Sequence, residues 1–224
     1  HGRVSEVQRR QMTCELAENV HNIALEGSFD DAQAMVKAMF ADRDFTNKYR
    51  LSAVNSINWA RLMAQIVYYF YAAARLGAPD QPIAFSVPTG NFGDVFAGYI
   101  AKKMGLPIAK LIVATNQNDI LFRALTNGDY SVGKVVPTDT PSMDIQISSN
   151  FERLLFDLYG RDGAALAEAM QGFEATKSLN INEAMKQQIS KEGFISYSTF
   201  GSGPELAIEF AHKNNGGIID PHSA

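Results

Sequence analysis

A chain of 224 residues that is 46% apolar, with a formal net charge of −4, has material for one or two globular domains and a sizeable core. Its 20 lysines and arginines are scattered rather than clustered, which argues against a tract for the phosphate backbone and so against a nucleic-acid partner. The single cysteine, Cys14, excludes an internal disulfide. The longest apolar stretch, around residues 62–74, is broken by Gln65 and too short to span a bilayer, so the expectation is a cytoplasmic protein without a membrane segment.

Residues 4–16 place Val4, Val7 and Gln11 on one side and charges elsewhere, which predicts a helix with Ser5 as a cap. Residues 20–25 read as a short strand. Gly27-Ser28-Phe29-Asp30-Asp31 then leads into a helix over 32–40, and its acidic start suits the helix dipole. Residues 42–50 read as a polar connection and 51–54 as a second short strand. Asn55, Ser56 and Asn58 are good capping types before a long helix over 59–76. Gly77-Ala78-Pro79-Asp80 is a break. Ile83, Phe85 and Val87 alternate up to Pro88, as in a buried strand. Val95, Phe96, Tyr99 and Ile100 follow at helical spacing, and Gly105 ends the pattern. Residues 108–114 form another apolar strand, with a short helix over 120–125 ended by Asn127-Gly128-Asp129.

The order β-α-β-α-β-α-β-α predicts an α/β fold, a mostly parallel sheet with helices on both faces. After Tyr130 the character changes. Residues 131–144 read as loop, and helices are expected over 150–159, 164–172 and 183–192, with Ser149 or Asn150 capping the first. A last helix over 204–213 precedes a strand-like return at Ile218-Ile219. The boundaries expected are 1–52 for the end of a smaller α/β domain and 53–224 for a larger one, with a mainly helical insertion at about 131–195. The chain starts at His1 without Met and stops at Ala224 straight after structured pattern, which suggests a piece of a longer protein.

Two clusters carry chemistry. Strand, turn and helix around Gly90-Asn91-Phe92-Gly93-Asp94 make a phosphate cradle, because a tight turn exposes backbone N–H groups and a helix start presents unpaired donors. The same residues also suit a plain turn, and the stretch matches neither the dinucleotide pattern nor a P-loop. Asn55, Ser56 and Asn58 at a helix start, with Arg61 one turn inside, suit a phosphate dianion, or simple capping with a solvated arginine. His1, His21, His212 and His222 have no partners at ligand spacing, so no metal site is expected.

Three segments read together carry a resemblance: AVNSINWARLMAQIVYYF, SVPTGNFGDVFAGYIAKKMGLPI and VATNQNDILFRAL, supported by SMDIQISSNFERLLF and IIDPHSA. The chain resembles the threonine synthases, pyridoxal-phosphate enzymes of fold type II, along essentially its whole length. The resemblance implies pyridoxal 5'-phosphate as cofactor, O-phosphohomoserine as substrate, and threonine and phosphate as products. It assigns Gly90, Asn91, Phe92, Gly93 and Asp94 to the cofactor phosphate. Asn55, Ser56 and Arg61 fall to the substrate phosphate, and Ser223 to the neighbourhood of the pyridine nitrogen. It gives Asn116 no role. The family's Schiff-base lysine and the Thr-Ser-Gly-Asp-Thr-Gly type of loop have no match here, so no catalytic residue is expected in this chain and the chain alone should be inactive. Other fold type II lyases or synthases, and a non-catalytic phosphate-ligand binding protein, are the alternatives.

Overall fold

The computed structural model describes residues 6–26, 29–54 and 57–224. The chain divides into two compact units, His1–Ala53 and Val54–Ala224. In the first, α1 spans Glu6–Thr13, α2 Phe29–Ala41 and α3 Arg43–Tyr49. The segment expected to be a polar connection is therefore helix α3. Asp42 caps it, accepting from the Phe45 N–H at 2.9 Å. Residues 20–25 and 51–54 are not strands: Ile23 and Val54 are largely exposed, and no described segment pairs with either run. An extended segment without a neighbour leaves its backbone groups to water and gains no ladder.

The second unit holds the remaining α-helices and strands. They are α4 (Trp59–Arg75), β1 (Ile83–Pro88), α5 (Gly93–Lys103), β2 (Ile108–Thr115), α6 (Ile120–Asn127), β3 (Asp129–Ser131), α7 (Phe151–Leu158), α8 (Gly163–Thr176), β4 (Ser178–Asn180), α9 (Glu183–Lys191), β5 (Phe194–Ser198) and α10 (Gly203–Asn215). A parallel sheet runs β1-β2-β5, with Val87 opposite Val113 and Val113 opposite Ser196. β3 and β4 form a separate antiparallel pair. Strand β5, at the end of the segment expected to be a helical insertion, belongs to the main sheet. Ile218-Ile219 is irregular chain with Ile218 exposed, not a strand.

β2 is the central strand, and Leu111 and Val113 on it are fully buried. The β1–α5–β2 crossover joins parallel neighbours, which requires a connection of this kind. Gly105 turns the chain out of α5 at φ 104°, a conformation glycine adopts without a Cβ clash. Helix α4 buries Leu62, Tyr69 and Ala73, with Ile66 partly buried between them, along one stripe of helical spacing. No helix among the described residues is long and apolar enough to cross a membrane.

The candidate cofactor site

All three strands of the main sheet run the same way, so the residues after β1, β2 and β5 gather at one end. In open parallel sheets that end receives ligands. The turn after β1 carries Gly90, Asn91 and Phe92 into α5. Thr89 anchors it, its N–H donating to the Ala114 carbonyl at 2.7 Å.

Phe92 occupies the cap position of α5 at φ 62°, in the left-handed region, and makes no side-chain cap bond. Among the described residues, no acceptor faces the N–H groups of Gly93, Asp94 and Val95. A helix start left open in this way presents donors and partial positive charge to an anion. What holds the strained turn is the Phe92 ring, 1% exposed, edge-on to Phe151 at 5.3 Å and stacked on Phe194 at 5.9 Å. Burying such a ring is worth roughly 1.5–3 kcal/mol, more than the roughly 1–2 kcal/mol a left-handed residue costs.

The turn is also supported from behind by Ser148, Ser149 and Asn150. Ser148 Oγ donates to the Gly90 carbonyl at 2.8 Å, and Ser149 Oγ to Asn91 Oδ1 at 3.1 Å. The N–H and Nδ2 of Asn150 both donate to the Asn91 carbonyl, at 3.1 and 3.0 Å. Neither Ser149 nor Asn150 caps α7 through its side chain. Their polar atoms turn to the 90–92 turn instead, because Asn150 is fully buried and Asn91 offers it the acceptor. Gly90 leaves room for this packing: a Cβ there would sit 2.9 Å from the Ser142 carbonyl. The 148–150 support was not foreseen, since serine and asparagine before an apolar helix read equally well as caps.

Asp94 lies in the first turn of α5. Burial raises its pKa, with Tyr69 and the charge of His222 pulling it partly back. The Tyr69 hydroxyl donates to the Asp94 carbonyl at 2.9 Å, tying α4 to the start of α5. The C-terminal segment reaches the same neighbourhood through His222, whose Nδ1 lies 3.2 Å from Ser142 Oγ. Ser223 itself is exposed, and its hydroxyl donates to Asp220 Oδ2 at 2.8 Å rather than to the turn.

Asn55 and Ser56 lie outside the described residues. Arg61 sits in the first turn of α4, exposed, with Nη1 3.5 Å from the Val54 carbonyl. Asn58 caps the helix, accepting from the Ala60 N–H at 2.9 Å.

Asn116, just beyond β2, is the centre of a buried polar network. Its Nδ2 lies within 2.8–2.9 Å of Thr138 Oγ1, Thr140 Oγ1 and Asp144 Oδ1, and its Oδ1 accepts from the Asn118 N–H at 2.9 Å. Asn118 in turn pairs with both backbone groups of Val136 at 2.8 Å. The network holds the 136–144 loop over the end of β2. Beside it opens a cavity of about 390 Å³, lined among others by Asn116, Gln117, Thr138, Asp139, Thr199 and Gly201. That volume falls in the range of small-molecule sites.

A strand–turn–helix whose uncapped N-terminus opens at the carboxyl end of a parallel sheet is an arrangement by which α/β domains can receive an anionic ligand. The family model described as pyridoxal-phosphate dependent enzyme matches residues 3–195, and the chain belongs to that family. Pyridoxal phosphate is thus the cofactor that the fold serves, and the open donors of α5 fit its phosphate. Among curated relatives, the chain is 55% identical over 224 residues to the threonine synthase of Pseudomonas aeruginosa, covering all of this chain and 48% of that one. It is 54% identical over 239 residues to the threonine synthase of Saccharomyces cerevisiae, covering 46% of it. The crystal structure of pyridoxal-phosphate-bound threonine synthase from Brucella melitensis superposes at a TM-score of 0.89 with 53% identity, over 100% of this chain and 48% of that chain. The chain spans about half the length of the curated relatives it matches.

Proposed function

We propose that this chain is about half of a threonine synthase, which converts O-phosphohomoserine and water to L-threonine and phosphate. The observation that carries the reading is the uncapped first turn of α5, buttressed by residues 148–150, in a chain 55% identical along its whole length to a threonine synthase. In this reading residues 1–52 end a smaller α/β domain. Residues 53–224 form the larger cofactor-binding domain, with the mainly helical insertion at about 131–195, closing where β5 begins. The protein works in the cytoplasm on a small-molecule substrate.

The bound cofactor supplies an electron sink that eases proton removal next to the amino-acid carbon. The chain's own part is binding and charge placement. The N–H groups of Gly93, Asp94 and Val95 take the cofactor phosphate, with Asn91 and Gly90 shaping the turn. Arg61, with Asn55 and Ser56 at the start of α4, takes the substrate phosphate. A guanidinium there neutralises charge as phosphate departs, helped by the helix dipole. Ser223 serves the pyridine nitrogen as a hydroxyl partner. The family's lysine motif has no match among these 224 residues, so the reading assigns it to the other half of the protein, and this polypeptide alone should be inactive.

The test is phosphate release from O-phosphohomoserine by the full-length protein. Removing Arg61 as Arg61→Ala should cost about 1.5–3 kcal/mol of charge-assisted binding, roughly a 10- to 100-fold rise in KM, with cofactor absorbance unchanged. Absence of phosphate release from the wild type would sink the assignment. An unchanged KM would return Arg61 to a solvated surface arginine.

A further inference from the structure

We propose that Arg153 is a positioning residue for the substrate-phosphate site, and that Asn150 and Arg153 together fix that site against the cofactor-phosphate turn. The inference rests on the reading above of the start of α4 as a phosphate site.

Arg153 lies in the first turn of α7, directly after the segment that supports the cofactor turn. Its Nε donates to Asn150 Oδ1 at 2.9 Å, and its Nη2 to the carbonyl of Ile57 at 3.0 Å. Asn150 in turn donates from its N–H and its Nδ2 to the Asn91 carbonyl. A continuous polar path therefore runs from Asn91, through two side chains of one helix start, to the backbone just before α4. Both ends of the path are carbonyls, so what it fixes is the course of the main chain.

Ile57 directly precedes the cap Asn58 and directly follows Ser56. Holding its carbonyl sets the angle at which the chain enters α4, and with it where that helix start points. The guanidinium also lies 5.5 Å over the ring of Trp59, the first residue of α4, and Trp59 meets Phe96 of α5 edge-on at 6.5 Å. The geometry demands arginine. One planar group gives Nε–H to one partner, Nη2–H to another, and a flat face to an indole. A lysine can reach only one carbonyl.

Arg153 makes no ion pair with a carboxylate among the described residues, and its side chain is half-buried. Buried charges are ordinarily matched, because desolvation without a partner is costly. Here the positive charge stands at a helix start read as an anion site, where it adds to the field of Arg61 without occupying the same position. Two anions, one on the cofactor and one on the substrate, must be held a fixed distance apart for the reacting carbons to line up. Asn150 and Arg153 are the side chains that span the two sites.

The experiment uses the full-length, cofactor-loaded protein with Arg153→Met, Arg153→Lys and, in parallel, Arg61→Ala. Three quantities are read: KM and kcat for O-phosphohomoserine, the competitive inhibition constant of inorganic phosphate, and the dissociation constant of the cofactor followed by its absorbance. Arg153→Met should raise KM and the phosphate inhibition constant by about tenfold, with kcat within about threefold and cofactor affinity unchanged. Arg153→Lys should fall between Met and wild type, since it keeps the charge and one donor. If Arg61→Ala weakens phosphate and both Arg153 variants leave it unchanged, the site reading stands and the positioning role is wrong. If no variant moves the phosphate constant, the site reading fails and this inference with it. If Arg153→Met raises KM but also lowers kcat and cofactor affinity, Arg153 is a packing residue of the domain and the proposal is overturned.

Discussion

Phe92 gives the sharpest test of how the 90–94 turn is held. It is the only residue of the 90–94 turn that combines a left-handed backbone, φ 62°, with a buried large side chain. Two contributions of opposite sign act at this residue. Removing the ring from between Phe151 and Phe194 should destabilise by about 3–5 kcal/mol, the cost of deleting a buried phenyl group. Relieving the backbone is a separate gain. Glycine recovers roughly 1–2 kcal/mol of left-handed strain, and loses roughly 0.4–1 kcal/mol of it to the greater freedom of the unfolded chain. Phe92→Gly should therefore be between equal to and about 1.5 kcal/mol more stable than Phe92→Ala. At an ordinary helical position the order is reversed, with Ala about 1 kcal/mol better. Urea unfolding of both variants in the full-length protein, followed by fluorescence, gives the comparison. Absorbance titration shows whether the open turn still binds cofactor, which should weaken in both. Ala exceeding Gly by 1 kcal/mol, or neither variant losing more than 1 kcal/mol, would refute the claim that a buried ring holds a strained turn.

Two further outcomes follow from the same geometry. Gly90→Ala brings a Cβ to 2.9 Å from the backbone carbonyl of Ser142, which cannot rotate away; about 1–3 kcal/mol of stability and much of the cofactor affinity should be lost, measured by thermal unfolding and absorbance. Asp94 is held above its ordinary value of 3.8 by burial, so the folded state binds its proton more tightly than the unfolded state. Its contribution to stability is then present below that value and lost as pH rises through the higher, folded pKa. Asp94→Asn should flatten this decline in the cofactor-free protein, and a wild-type pH profile parallel to that of the variant would show that the carboxyl does not titrate abnormally.

The sequence determined the parts that depend on local rules. Alternation at Ile83, Phe85 and Val87, helical spacing from Val95 to Ile100, and glycine at 105 were enough to place β1, α5 and the turn between them. The motifs around Asn55, Gly90 and Asn116 named the family. The strands expected at 20–25 and 51–54 failed for a reason outside any local window: a strand exists only with a neighbour, and none of the described segments supplies one. β5 was overlooked for the converse reason. Its five residues, Phe194 to Ser198, become a strand by lying against Leu111 to Thr115, some 80 positions earlier in the chain.

The polar residues before α7 obey the same rule. Ser149 and Asn150 fit a cap by type, yet they and Ser148 find their partners in Gly90 and Asn91, nearly 60 residues away. Asn116 carried no assignable role in the sequence, and it is the node that binds the 136–144 loop through Thr138, Thr140 and Asp144. Residue type and spacing thus left an anion cradle and a plain turn both open at the start of α5, and the family resemblance chose between them. Only the tertiary structure decided what keeps that turn open. A buried ring and three side chains from a distant loop do it, because hydrogen bonds and burial join groups by distance in space and not by separation along the chain.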